Sequence, residues 1–204
     1  MVTVRTATAD DLERISQTHI RCFPNSLSSQ MGEKLLQKYY WEFMKEDPEL
    51  FVVADNGDDI VGFCMGYLCN KSGFKKNYVS NNIFALALRC VVLAISGNRV
   101  FYKRISQKFS TKNNANDDEI IVADAYDPAQ KGDLLSICLD SSLRGTGIAK
   151  EMLSEYEDRL RHLDRKLCLL SVENNNSQAI RFYEKNGYIV YKKYGESLQY
   201  GKAL

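Results

Sequence analysis

The 204-residue chain lacks a charge excess of either sign: 27 lysines and arginines stand against 26 aspartates and glutamates, a net of +1. A balance of that kind raises no global field to gather nucleic acid. Metal-ligand patterns are missing too. There are two histidines, and the six cysteines (Cys22, Cys64, Cys69, Cys90, Cys138, Cys168) form no Cys-x-x-Cys pair. No metal site is expected, and most of these cysteines lie in apolar runs as buried, reduced thiols. The opening Met1-Val2-Thr3-Val4-Arg5 carries no apolar signal segment, so a reducing, cytoplasmic setting is expected. The most apolar stretch, residues 83–95, is too short to span a bilayer and is interrupted by Arg89.

What remains is ordinary for a soluble protein: 45% hydrophobic and 26% charged residues, in a length that suits one α/β domain. Its centre is the stretch 134–153. An apolar run, Leu134-Leu135-Ser136-Ile137-Cys138-Leu139, is short enough for a buried strand. Arg144-Gly145-Thr146-Gly147 follows, and then Ile148, Met152, Tyr156 and Leu160 recur at helical spacing. Strand, glycine loop and helix start, in that order, make an anion site. The first-turn N–H groups have no helical partner, and the macrodipole puts partial positive charge there.

Three phosphate loops compete. A P-loop needs Gly-Lys-Ser/Thr, but this loop continues Gly147-Ile148-Ala149. A Rossmann fingerprint needs a small residue where Lys150 stands and its first glycine directly after the strand, although Glu173 imitates its ribose-binding acid. The third is a better fit. Arg144-Gly145-Thr146-Gly147-Ile148-Ala149 resembles the Arg/Gln-x-x-Gly-x-Gly/Ala loop of the GCN5-related N-acetyltransferases, the GNAT superfamily. A second patch resembles the strand–helix–strand ending of that family: Val172, Asn176, Ala179-Ile180, Tyr183 and Gly187-Tyr188. One departure is the pair Ser141-Ser142 where the family usually has proline shortly after the strand.

The resemblance implies an α/β (α+β) fold: a single GNAT-type domain over 1–204, with a mixed central sheet flanked by helices. Acetyl-CoA is the implied co-substrate. Its pyrophosphate would lie on the backbone from Arg144 through Gly145, Thr146, Gly147, Ile148 and Ala149 to Lys150. Its pantetheine would pair with Ile137, Cys138 and Leu139, and a backbone N–H near Cys138 or Leu139 would polarise the thioester. Asn176 would contact the cofactor or cap its helix. Tyr183 matches the tyrosine that protonates the departing thiolate in many members. Two carboxylates compete as general base: Asp133, at the position of a glutamate base in histone-type members, and Glu173, at the end of the neighbouring strand. The implied reaction moves an acetyl group to a primary amine of a small molecule, perhaps an amino sugar, by direct attack in a ternary complex. Protein or peptide N-acetylation and a silent acyl-CoA-binding module are the alternatives. The Phe-Pro-Asn-Ser…Tyr-Tyr pattern at 23–40 resembles members linked to polysaccharide biosynthesis.

Elsewhere the pattern predicts a strand at 2–7, a helix carrying Leu12, Ile15, His19 and Ile20, a polar loop at 22–30 and a helix at 31–45. His19 reads as a packing residue, and Tyr39, Tyr40 and Trp41 as core. Asn56-Gly57 marks a hairpin between 50–55 and 60–68. Closing strands are expected at 188–191 and 198–200. Between Asn70 and Asn116 lie nine lysines and arginines and no acid. This basic helical insertion, at about 70–117, has three readings: a packed insertion with a solvated face, a lid over an anionic acceptor, or a membrane-surface contact through 70–112. Residues 113–118 read as a polar mobile loop. The oligomeric state stays open.

Overall fold

The computed structural model describes residues 1–71, 73–111, 119–122 and 125–204, of which 107–111 by backbone alone. The loop expected at 113–118 lies outside the described residues. Among the described residues eight strands form one sheet: β1 (Thr3–Thr6), β2 (Phe51–Asp55), β3 (Ile60–Leu68), β4 (Glu119–Ile120), β5 (Lys131–Leu139), β6 (Leu167–Glu173), β7 (Ile189–Tyr194) and β8 (Ser197–Ala203). Their spatial order is β1-β2-β3-β5-β6-β8-β7-β4. Among the described residues only β5 and β6 run parallel, joined by α6 (Ile148–His162) as the crossover. The other helices are α1 (Leu12–Cys22), α2 (Leu27–Met31), α3 (Glu33–Glu46), α4 (Gly73–Ile95), α5 (Arg99–Thr111) and α7 (Ser177–Lys185). This is an α/β domain with a mixed central sheet flanked by helices, as expected.

Alternation along the strands sorts the core into two layers. Val52, Ala54, Cys64, Leu134, Cys168 and Leu170 pack with Met152, Leu153, Tyr156 and Leu160 of α6 on one face. Phe51, Val53, Phe63, Met65 and Cys138 pack with Ile15 of α1 and Leu36, Tyr40 and Phe43 of α3 on the other. Each such side chain, fully buried, contributes roughly 1.5–3 kcal/mol. Trp41 departs from expectation. It is 42% exposed, with Lys45 Nζ 5.9 Å from its ring centre, because it sits a quarter-turn off the buried stripe of α3. The 22–30 segment is not all loop either: Ser26 Oγ accepts from Ser29 N and starts the short α2.

β5 carries an irregularity at the point where the sheet later opens. Met65 faces Ser136 while Gly66 faces Leu134, so Leu135 is the extra residue of a β-bulge. At Gly66 the neighbours come very close. A Cβ there would lie 2.0 Å from Asp133 O and 2.1 Å from Tyr156 Oη, two atoms already joined by a 3.0 Å hydrogen bond. Gly66→Ala must push strand and tyrosine apart, and a cost of about 3 kcal/mol is expected. That amounts to a melting temperature lower by about 10 °C. A melt within a degree or two of the parent would refute this.

The apolar run at 83–95 belongs to a longer helix than the sequence pattern shows. α4 spans 23 residues, with a non-helical Asn82 (φ −127°, ψ 17°) marking a kink. By length and composition it could cross a membrane, with a mean hydropathy of 1.7 over a window that is 11% buried. Residues 83–95 alone are too short for a span, but the ten residues before them, nearly three turns, are helical as well.

Candidate active site

β5 and β6 are paired only at their first residues, from Lys131↔Leu167 to Leu134↔Leu170. Beyond that the two parallel strands follow other partners: β5 stays with β3 through Leu139, and β6 stays with β8 through Glu173. A gap therefore opens inside the sheet, starting at the bulge. Asp140 N donates to Val61 O at 2.8 Å, and Cys138 stands two residues earlier, opposite Phe63. Alternation in an antiparallel ladder turns the Cys138 amide toward β3 and those of Ile137 and Leu139 toward the gap. Of the expected strand contacts, Ile137 and Leu139 face the gap with their peptide groups, while that of Cys138 is spent on the ladder.

The loop at the mouth of the gap is exposed from Arg144 to Gly147. Gly145 has φ 80° and Gly147 has φ 93°, and a Cβ at either would meet nothing within 4 Å. The backbone conformation, rather than crowding, requires glycine there. Gly147 is the N-cap of α6, and its carbonyl accepts from Glu151 N at 3.0 Å. The amides of Ile148, Ala149 and Lys150 have no acceptor among the described residues. Thr146 Oγ1 donates to Leu143 O at 2.6 Å and holds the loop in shape. Arg144 and Lys150 add two exposed cations. Free helix-start amides, two positive-φ glycines and two cations fit a diphosphate, and the parted strands fit an amide-bearing arm. On these grounds the residues present suit coenzyme A.

The three expected acid–base residues separate. Tyr183, on α7, is buried in the α6-side layer, its ring 5.4 Å from Phe182 and 5.7 Å from Tyr188. Burial holds its phenol well above the ordinary tyrosine range. Asp133 lies on the opposite face, one residue before the strands part, where Tyr67 Oη donates to its carboxylate at 3.3 Å. Burial lifts this carboxyl to about 6, partly offset by the Tyr67 hydrogen bond and by Lys75. Glu173 stands four residues beyond Asp133's partner Leu169, about 13 Å along the strand. Its side chain is exposed and meets Arg104 of α5 at 3.4 Å. The gap does not bring the two carboxylates together. Asn176 caps α7, its Oδ1 accepting from Ala179 N at 3.1 Å.

Sequence reading does not single out Tyr67, Lys75 or Arg104 as neighbours of the site, because each comes from a segment distant in sequence. His19 is a packing residue: it lies among Phe23, Tyr40 and Phe63, with Nδ1 2.5 Å from Tyr40 Oη and Nε2 3.2 Å from Ser26 Oγ. Burial lowers it to about 4, so it is neutral and pins the loop before α2. A second concavity, about 770 Å³, lies between Met31–Gln37 and Ala85–Val92. It holds neither the glycine loop nor the tyrosine, so the β5–β6 gap is the candidate site. No group of three histidine, cysteine or acidic residues among the described residues is placed to hold a metal ion.

Comparison with known proteins gives a consistent result. Residues 115–188 match the model of the Acetyltransferase (GNAT) family. No curated protein matches the chain by sequence. Among solved structures, PH1933 from Pyrococcus horikoshii is similar over 100% of this chain and 99% of its own, at 17% identity and a TM-score of 0.61. The PaiA N-acetyltransferase of Thermoplasma acidophilum, solved in complex with coenzyme A, gives 16% identity, 100% and 99% coverage, and 0.61. The ribosomal-protein-S18-alanine N-acetyltransferase of Escherichia coli gives 11%, 100% and 94%, and 0.57. At these identities the likeness is one of fold.

Proposed function

We propose that this chain, an acetyltransferase of the GNAT family with acetyl-CoA as its acetyl donor, acetylates a primary amine of a small molecule by direct attack in a ternary complex. The observation that carries this reading is the parting of β5 from β6 directly after Leu134, one residue past Asp133, with the glycine loop at its mouth and Tyr183 packed in the α6-side layer. Acetyl-CoA supplies an activated thioester carbonyl. The free amides of Ile148, Ala149 and Lys150, flanked by Arg144 and Lys150, would bind its diphosphate, while the Arg144 and Thr146 amides are already bonded to Ser141 O and Leu143 O. The Ile137 and Leu139 peptide groups would orient its arm. The Leu139 N–H, turned toward the gap, would polarise the thioester carbonyl as charge develops on it.

An alkylammonium near pKa 10.4 must lose a proton before it attacks. Asp133, raised to about 6, is ionised at neutral pH and accepts that proton, directly or through one water. Tyr183 stays protonated at neutral pH because burial raises it, and it delivers a proton to the departing thiolate. A small acceptor is favoured by α5, which reaches the end of β6 through Arg104 and Glu173 and narrows that side against an extended peptide. An amino sugar as acceptor rests on the 23–40 pattern alone.

The test pairs calorimetry with free-thiol release. Coenzyme A is expected to bind, and thiol is expected to appear from acetyl-CoA with at least one small amine or amino sugar. Release only with peptides bearing free N-termini would replace the small-molecule reading with protein acetylation. Binding with no release from any acceptor would leave a silent acyl-CoA-binding module.

A further inference from the structure

α4 wears its apolar side outward. Leu86, Arg89 and Leu93 face the body of the protein, and Leu93 is 3% exposed. Directly opposite on the helical wheel runs the stripe Phe84, Leu88, Val91 and Ile95, exposed to 89%, 67%, 53% and 83%. Four large apolar side chains in one row on a free surface mark an interaction face.

The neighbouring charges narrow the occupant. Tyr102 Oη donates to Ala94 O at 2.8 Å and fastens α5 beside the end of this stripe. Arg99 and Lys103, one turn apart on α5, are exposed there, and Lys76 is exposed on the first turn of α4, whereas Lys75 turns inward over the Tyr67 ring. The segment from Asn70 to Asn116 holds nine cations and no acid, and although Lys71 pairs with Asp47 and Arg104 with Glu173, Arg99 and Lys103 have no acid of their own segment to offset them. A second copy seated on this face by a two-fold axis would set like charges against each other. An anionic lipid surface matches both the apolar row and its basic rim.

We propose that the α4–α5 hairpin docks this protein on an anionic membrane surface, with the Phe84–Leu88–Val91–Ile95 row seated at the level of the acyl-chain boundary. The helix lies on the bilayer and does not cross it. Arg89 Nε donates to Gln30 O at 2.9 Å, Asn98 Nδ2 to Gln30 Oε1 at 2.8 Å, and Asn81 Nδ2 to Glu42 Oε1 at 3.4 Å. Those bonds hold α4 and the turn after it to α2 and to α3, whose Lys34 and Lys38 face water, so only its outer row is free to enter lipid. This inference stands apart from the acetyl-transfer reading.

Flotation of the full chain with vesicles tests it. The protein is expected to float with mixed phosphatidylcholine–phosphatidylglycerol vesicles at low salt and to stay behind with phosphatidylcholine alone. The triple variant Phe84→Ser, Leu88→Ser, Ile95→Ser is expected to lose flotation while keeping its melting temperature and coenzyme A binding. Arg99→Gln with Lys103→Gln is expected to weaken partitioning about fivefold per charge. Equal flotation of the triple variant would overturn the proposal, as would no flotation of the parent at low salt. Concentration-dependent dimers that the triple variant abolishes, without vesicle binding, would assign the row to a second copy. Alkali-resistant insertion into the vesicles would overturn the surface geometry in favour of a span.

Discussion

Asp133→Asn is expected to lower kcat/KM by about 10²–10⁴, the range that a positioned proton acceptor contributes. The replacement is nearly isosteric, and its amide oxygen can still accept from Tyr67 Oη, which lies 3.3 Å from the carboxylate in the parent. Coenzyme A affinity by calorimetry is expected to hold, since the loop is at the other end of β5. In the parent the rate should fall about tenfold per pH unit below about 6, where burial has placed this carboxyl. In the variant that limb should vanish. Stability should move the other way. A carboxyl whose folded pKa lies above its unfolded value favours folding most at low pH, and that advantage is lost as pH rises through about 6. At pH 7 the ionised Asp133 is therefore a burden, and the asparagine variant should be more stable by about 2 kcal/mol after allowing for solvent screening. Glu173→Gln, at an exposed ion pair, should leave the profile unchanged. An acid limb that survives in Asp133→Asn and disappears in Glu173→Gln would reverse the assignment.

Tyr183→Phe is expected to cost about 10² or more in kcat, with coenzyme A binding little altered. The ring stays in its cluster with Phe182 and Tyr188, so the variant loses the hydroxyl and keeps the packing. Because burial raises the phenol above its ordinary value, no alkaline limb from Tyr183 should appear below pH 10 in the parent. Single-turnover measurement of thiol formation, alongside calorimetry, separates the outcomes. Should kcat survive while coenzyme A affinity drops, the phenol is a holding group and the thiolate takes its proton from solvent.

Both variants act on positions that the chain's local pattern marks, and the marks have local causes. Gly145 and Gly147 stand where the backbone takes positive φ, a property of those few residues alone. Asn176 caps the helix that starts at Ser177, again within one turn. The Asn56-Gly57 hairpin and the 3.6-residue stripe of α6 are of the same kind. Such features need only near neighbours in sequence, so residue types at fixed spacing predict them.

The sequence by itself determined the order of elements and the anion-ready loop, because turn chemistry and side-chain periodicity act over a few residues. Only the tertiary structure decided where the sheet parts, which of two carboxylates stands at the parting, and which way α4 turns its apolar row. Leu135 becomes a bulge only against β3, and β6 leaves β5 only because β8 holds it. An apolar stripe on a helix reads the same whether it faces a core or open solvent. Its direction is set by what the opposite face binds, here Gln30 and Glu42 from segments some forty to seventy residues away.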